Sequence, residues 1–450
     1  MTESSTPRTS SPTISHRAIR GPFLTFHADP FTTDPMDALH HESDGLILIE
    51  NGRITAAGPW DSLRDTIPAG TPIDHYPDML ISAGMIDTHV HYPQLPVIAS
   101  YGEQLLEWLE SYVFPAEARY ADLTYARTVA RQFLNELLRV GTTTAAVYCT
   151  VHPQSVDAFF EESERLNTFM IAGKVLMDRN APENLRDTAQ SGYDQSADLI
   201  ARWHNRGRQL YAVTPRFAPT STPEQLDLAG ALLATKPDLF MQTHLLENRS
   251  EIAWVRELFP DRSSYLDVYD KAGLLRPRAI LAHAVHAEEA DFQRCHDTGC
   301  SIAHCPGSNQ FLGSGSFPLF EALKPDRRVP VGIGSDIGAG PSLSLLQVLS
   351  DAYKVAQGLQ TKLHPAQGLW LATAGGAQSL GLQDRIGSIQ PGLYADLCVF
   401  DPAATPLGRI RAQTAETLAD RLFALTMLGD DRSIAATYVA GELRHQRSAT

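Results

Sequence analysis

Short apolar runs recur along the middle of the chain at intervals that leave room for a helix between them. They are GMIDTHVH (84–91), GTTTAAVYC (141–149), FMIAGKVLMD (169–178), LYAVTPRF (210–217), LFMQTHLLE (239–247), RAILAHAVH (278–286), CSIAHCP (300–306) and VPVGIGSD (329–336). Runs of this kind, apolar at consecutive positions and rich in β-branched residues, read as strands buried on both faces. Between them lie amphipathic segments such as RTVARQFLNELLRVG, with apolar residues at helical spacing. Eight such strand and helix units predict an α/β fold, a parallel (β/α)8 TIM-like barrel rather than an open doubly wound sheet. No glycine-rich dinucleotide fingerprint follows the first run, which removes the usual reason to prefer the open sheet.

The two ends of the chain carry a different pattern. DGLILIENGRITAAG (44–58) is two strand-like runs joined by Asn51-Gly52, a strong hairpin signal. Matching β character returns in GSIQPGLYADLCVFDP (387–402) and ATYVAGELRH (436–445). These flanks predict a small β-sandwich domain formed from both termini. The expected organisation is a disordered tail over 1–20, the N-terminal part of the β domain over 21–80, the barrel over 81–380 and the C-terminal part of the β domain over 381–450.

Composition narrows the choice of partner. Among 450 residues, 43% are hydrophobic and 20% charged, ordinary values for a globular chain, and no apolar run approaches a membrane span. A net charge of −15 argues against nucleic acid and anionic membrane as partners and leaves a small molecule as the natural ligand. The five cysteines, Cys149, Cys295, Cys300, Cys305 and Cys398, are unclustered and mostly within apolar runs, as expected of buried thiols in the reducing cytoplasm. The first twenty residues lack the apolar core of a secretion signal; their Ser-rich composition suits a disordered tail, with an organelle transit peptide as the alternative.

The candidate chemistry lies at the carboxyl ends of the runs, the face on which barrel enzymes build their sites. His89 and His91 are two apart on one strand and so point the same way, into the barrel. His244 ends the fifth run and Asp336 the eighth. Three imidazoles and a carboxylate suit one divalent ion, zinc or iron, in an open catalytic site. Glu247 follows His244 by three residues, so the chain must turn between them for both to face the ion; there Glu247 would serve as general base and then acid, the alternative being a helix-start glutamate that favours the dipole. His283, ending the sixth run, is either a ligand to a second ion or a hydrogen-bonding partner of water and substrate. His286 and His304 are read as supporting the site through hydrogen bonds.

DTHVH, THLLE, LAHAVH and GSD, in that order, with a β domain from both ends and the closing GSIQPGLYADLCVFDP, resemble the amidohydrolase superfamily over nearly the whole chain. HVHYPQ, LLEWLESYVFPAEARY, YCTVHPQSVDAFF, TPRFAPT and SDIGAG are similar to its guanine-deaminating branch. The resemblance implies metal ligands His89, His91, His244 and Asp336, catalytic roles for Glu247, His283 and Asp336, and a purine pocket of Gln94, Arg216, Phe217 and His283. It implies one zinc ion, with iron the alternative, because binuclear relatives bridge two metals with a lysine on the fourth strand and LYAVTPRFAP has none. It further implies hydrolysis of guanine to xanthine and ammonia by metal-activated water, and a homodimer in which LLEWLESYVFPAEARY is lid or interface. One departure is Ala284, where many relatives have glycine.

The chemistry of the bases agrees with that reading. Guanine offers O6 and N7 on one edge, and a guanidinium fork matches such a pair. Arg216 has that fork, Gln94 carries both a donor and an acceptor, and Phe217 supplies an apolar wall. The His-x-Glu and Pro-Cys-x-x-Cys motif of the other zinc deaminases is absent. The competing expectations are a deaminase of a related ring, such as 8-oxoguanine, a triazine or a pterin, and a barrel that has lost catalysis and serves as a scaffold.

Overall fold

A computed structural model describes residues 15–102 and 104–448. The N-terminal strands are β1 (His16–Phe26), β2 (Leu39–Glu50), β3 (Arg53–Pro59), β4 (Ile73–His75) and β5 (Leu80–Ala83). The barrel strands follow as β6 (Met85–His91), β7 (Thr142–Tyr148), β8 (Phe169–Gly173), β9 (Val175–Leu176), β10 (Gln209–Pro215), β11 (Phe240–Leu245), β12 (Ala279–His283), β13 (Ser301–His304) and β14 (Val331–Ile333). The chain ends with β15 (Leu397–Phe400), β16 (Ile434–Val439) and β17 (Glu442–Gln446).

Each of the eight apolar runs forms a barrel strand. The parallel order is β6, β7, β8, β10, β11, β12, β13, β14, with β9 alongside β10. The last strand meets the first through bonds beyond the regular ladder: Thr88 Oγ1 donates to Ile333 O at 3.0 Å, Asp336 N to His89 O at 2.9 Å and His91 N to Ile337 O at 3.1 Å. The third run differs from its expected form. It divides into β8 and β9 at Lys174, whose ammonium is fully buried against Asp187. Burying a charge demands a partner, and reaching that partner breaks the strand.

Helices cover the barrel because their apolar residues recur at i, i+3 and i+4. In Leu123–Arg139, the buried positions are Ala126, Val129, Ala130, Phe133, Leu134, Leu137 and Leu138, and Asp122 caps the start by accepting from Thr124 N at 2.8 Å. Burial of each large side chain contributes about 1.5–3 kcal/mol relative to exposure. At the other end of this helix, Thr437 Oγ1 donates to Leu138 O at 2.7 Å and ties the barrel wall to β16.

The domain from both termini is one eight-stranded sheet in the order β17, β16, β15, β5, β1, β2, β3, with β4 beside β1. The junction between the two ends of the chain is antiparallel β5 and β15, with Leu80 opposite Phe400 and Ala83 opposite Leu397. The sheet curls so that β3 meets the segment just before β15. Ile54 N donates to Leu393 O at 2.9 Å, the Asn51-Gly52 turn lies against Ala440, and Ile19, Ile49, Val399 and Tyr438 share one core. Of the tail expected over 1–20, residues 1–14 lie outside the described residues, while 16–20 belong to β1, which begins at His16. Arg17 and Arg20 obscured a strand in which the consecutive residues Ala18 and Ile19 are both buried, while Asp74 and Asp44 accept the two guanidinium groups.

Gly332 on β14 lets that strand approach β6. A Cβ there would overlap the Thr88 side chain and lie 2.8 Å from Ser379 Oγ. Gly332→Ala is expected to destabilise the protein by about 1–3 kcal/mol, the usual cost of overpacking a tight core. A change in denaturation midpoint at constant slope would measure it.

Candidate active site

Asp87, His89 and His91 alternate along β6 and share one face. Asp87 lies deepest, accepting from Ser335 Oγ at 2.5 Å, Ser335 N at 3.0 Å and His89 N at 3.1 Å. It thereby anchors the segment after β14 that presents Asp336. Burial pushes the Asp87 carboxyl up to about 6, against the pull of the Ser335 bonds.

Several site residues sit where the backbone leaves its strand in the left-handed region: Leu246 at φ 50°, His283 at 72°, Ala284 at 48° and Asp336 at 49°. Such conformations cost energy in non-glycine residues and persist where the surroundings impose them. The bend at Leu246 swings Glu247 back over the barrel mouth. Glu251 holds it there, its Oε2 accepting from Glu247 N at 3.0 Å and Asn248 N at 3.1 Å, while Tyr265 donates to Oε1 at 2.6 Å.

His89, His91, His244 and Asp336 converge on one point. Nε2 of His91 lies 3.3 Å from Nε2 of His89 and 3.2 Å from Nε2 of His244, and Asp336 Oδ1 is 3.2 Å from His89 Nε2 and 3.5 Å from His91 Nε2. Donors placed about 2.0–2.2 Å from a tetrahedral centre are themselves about 3.3–3.5 Å apart, so these spacings fit one zinc-sized ion. The proton positions fit as well. His244 Nδ1 faces Arg216 O at 2.7 Å; a carbonyl can only accept, so Nδ1 carries the proton and Nε2 presents its lone pair to the centre. Burial holds the imidazoles of His89, His91 and His244 below the ordinary histidine value. For Asp336 burial acts upward, but His89, His283 and His244 together outweigh it and hold the carboxyl at about 2.

Glu247 and His283 complete the polar wall. His283 Nε2 lies 3.5 Å from Glu247 Oε2 and 3.8 Å from Asp336 Oδ2, and its Nδ1 lies 2.9 Å from Asn309 Oδ1. Ser314 Oγ donates to Glu247 Oε1 at 3.4 Å. Burial, reinforced by the charges of Glu251 and Asp336, raises the Glu247 carboxyl well above the usual range. An upward shift makes the carboxylate a stronger base, suited to taking up a proton and giving it on to a more basic group.

A cavity opens from this centre, lined on its polar side by His91, Gln94, Arg216, His244, Glu247, His283 and Asp336. Phe217, Leu105, Trp108, Leu109, Leu312 and Ala339 form its apolar side. Three of these apolar residues belong to the segment read as lid or interface, which runs as the short helix Leu105–Trp108 into a π-helical turn, Leu109–Val113. His286 and His304 do not line the cavity: His286 Nε2 meets Ser314 O at 3.0 Å, and His304 packs on the Phe317 ring.

Sequence reasoning missed Glu117, Asn309, Ser314 and Asp87. Two of them left a signal. Glu117 stands eight residues after Leu109 and four after Val113, a carboxylate on the apolar face of a helical segment, and Asp87 falls inside an otherwise buried strand with the parity of the two histidines.

A metal-centred hydrolase barrel is what this fold and site define, and the chain belongs to the amidohydrolase family, whose profile matches residues 80–444. Within that family it is 49% identical over 433 residues to the guanine deaminase of Escherichia coli strain K12, covering 96% of this chain and 98% of that one. The solved structure of E. coli guanine deaminase superposes with a TM-score of 0.94, covering 96% of this chain and all of the other. A probable guanine deaminase of Deinococcus radiodurans is 40% identical over 438 residues, 96% of this chain and 99% of its own length. Guanine deaminase of C. acetobutylicum, solved with guanine in its active site, is 28% identical with a TM-score of 0.84, over 95% of this chain and all of that one.

Proposed function

We propose that this chain hydrolyses guanine at C2 to xanthine and ammonia. The observation that carries the proposal is one cavity in which a centre of three histidines and an aspartate faces Glu247 on one side and Arg216 and Gln94 on the other. Similarity over 96% of the chain to guanine deaminases at 49% and 40% identity supports the choice of base.

In this reading Arg216 donates to the O6 and N7 edge of guanine, the Gln94 amide meets its other polar atoms, and Phe217 closes over the flat ring. The base is thereby turned with C2 toward the four ligands. A zinc or iron ion held by His89, His91, His244 and Asp336 would lower the pKa of water to around 7 and supply a nucleophile at neutral pH. Glu247 accepts one proton of the attacking water and passes it to the ring nitrogen, then takes the second from the new C2 hydroxyl and passes it to the amine, so that the C2 carbonyl forms as the C–N bond breaks and ammonia leaves. His283, 3.5 Å from Glu247, hydrogen-bonds the water as it adds. The five free cysteines, all buried, support a reducing cytoplasmic setting.

Steady-state assay of the metal-loaded protein on guanine, 8-oxoguanine, a triazine and a pterin tests the proposal. Guanine is expected to give the highest kcat/KM, and a higher value for another ring would replace it as substrate. Among the described residues the groups of candidate ligands overlap at His89, which predicts one tightly bound ion per chain; elemental analysis measures it, and two would refute it.

A further inference from the structure

We propose that Glu117 is a positioning residue for base recognition, holding the substrate-facing forks of both Arg216 and Gln94 and neutralising the first. The inference rests on the reading that Arg216 addresses guanine and extends it to a residue outside the recognition set. Glu117 lies on the short helix Phe114–Ala118, is fully buried, and does not line the cavity. Its two oxygens accept from one nitrogen of Arg216, Nη1, at 3.0 and 2.8 Å. Among the described residues, Nε and Nη2 of Arg216 have no hydrogen-bond partner, although the side chain is 2% exposed and lines the cavity. The guanidinium is therefore clamped at one corner with its other donors left for a ligand.

Gln94 converges on the same carboxylate. Gly338 N donates to Gln94 Oε1 at 3.0 Å, which fixes the orientation of the amide, and Gln94 Nε2 reaches Glu117 Oε1 at 3.4 Å. One carboxylate thus sets the rotation of two side chains arriving from β10 and from the turn after β6. It also cancels a buried cation. A neutral base then meets a neutral pair, whereas an unpaired guanidinium would favour anions, including xanthine, which ionises more readily than guanine.

The test compares wild type, Glu117→Gln, Arg216→Met and the double variant as metal-loaded enzymes, with metal content checked first. Guanine and 2-aminopurine, which lacks O6, are the substrates. Glu117→Gln is expected to lower kcat/KM for guanine by about 10- to 100-fold, mostly through KM, and to affect 2-aminopurine far less. Its effect should shrink in the Arg216→Met background to the part that acts through Gln94. Inhibition by xanthine at alkaline pH should tighten relative to wild type, and Glu117→Asp should restore part of the guanine preference.

Equal losses on both bases, or additivity with Arg216→Met, would overturn the proposal. So would failure of both Glu117→Gln and Glu117→Asp to fold, which would assign the carboxylate to the scaffold. The underlying reading fails separately: a wild-type enzyme without preference for guanine over 2-aminopurine would show that Arg216 does not read O6.

Discussion

Glu247→Gln is expected to lower kcat on guanine by about 10²- to 10⁴-fold, the range for loss of a positioned acid and base. Metal content should stay at the wild-type level, and KM should change little. The reason is geometric: Glu247 lies 3.5 Å from His283 Nε2 and faces the cavity, so its carboxyl can carry a proton without bearing on the ion. Glutamine keeps the size and the hydrogen bond from Ser314 but cannot shuttle a proton. Substrate binding to the variant, measured by equilibrium titration with guanine, separates lost chemistry from lost affinity. Loss of metal instead would make Glu247 a ligand.

Arg216→Met should cost guanine about 3–5 kcal/mol of transition-state binding, because it removes two charged donors, those to O6 and N7, from a buried site. That corresponds to at least ~10²-fold in kcat/KM. The metal centre should survive, since Arg216 touches it only through the backbone carbonyl that accepts from His244 Nδ1. 2-Aminopurine should lose much less, as part of the contact was never made. The ratio of ratios for two substrates on two enzymes isolates the contact; equal losses would make Arg216 a support of the pocket rather than a reader of the base.

The barrel could be read from the sequence because each strand is short, apolar on consecutive positions and terminated by a polar side chain, and strand parity placed His89 beside His91. The Asn51-Gly52 turn marked β2 and β3 for an equally local reason. Contacts between distant segments have no such trace. Glu117 meets Arg216 across 99 residues of chain, and Asn309 meets His283 from the helix Pro306–Phe311, where no periodicity announces a partner. The division of the third run at Lys174 was hidden for a related reason, since the buried partner Asp187 lies beyond the run itself. At β1 the obstacle was composition: arginines within the strand made its start look like tail.

The junction of β5 with β15 has a consequence for biosynthesis. β5 is followed after one residue, Gly84, by the strand that carries His89 and His91, and Gly84 N donates to Asp396 O at 2.8 Å. During translation the segment around Leu80–Ala83 emerges long before Leu397–Phe400, so its edge stays open until most of the polypeptide has left the ribosome. At roughly 5–20 residues per second that interval is tens of seconds. The strand bearing the first two candidate ligands therefore acquires this anchor only after Leu397–Phe400 has been made, and a chain truncated before Leu397 lacks it.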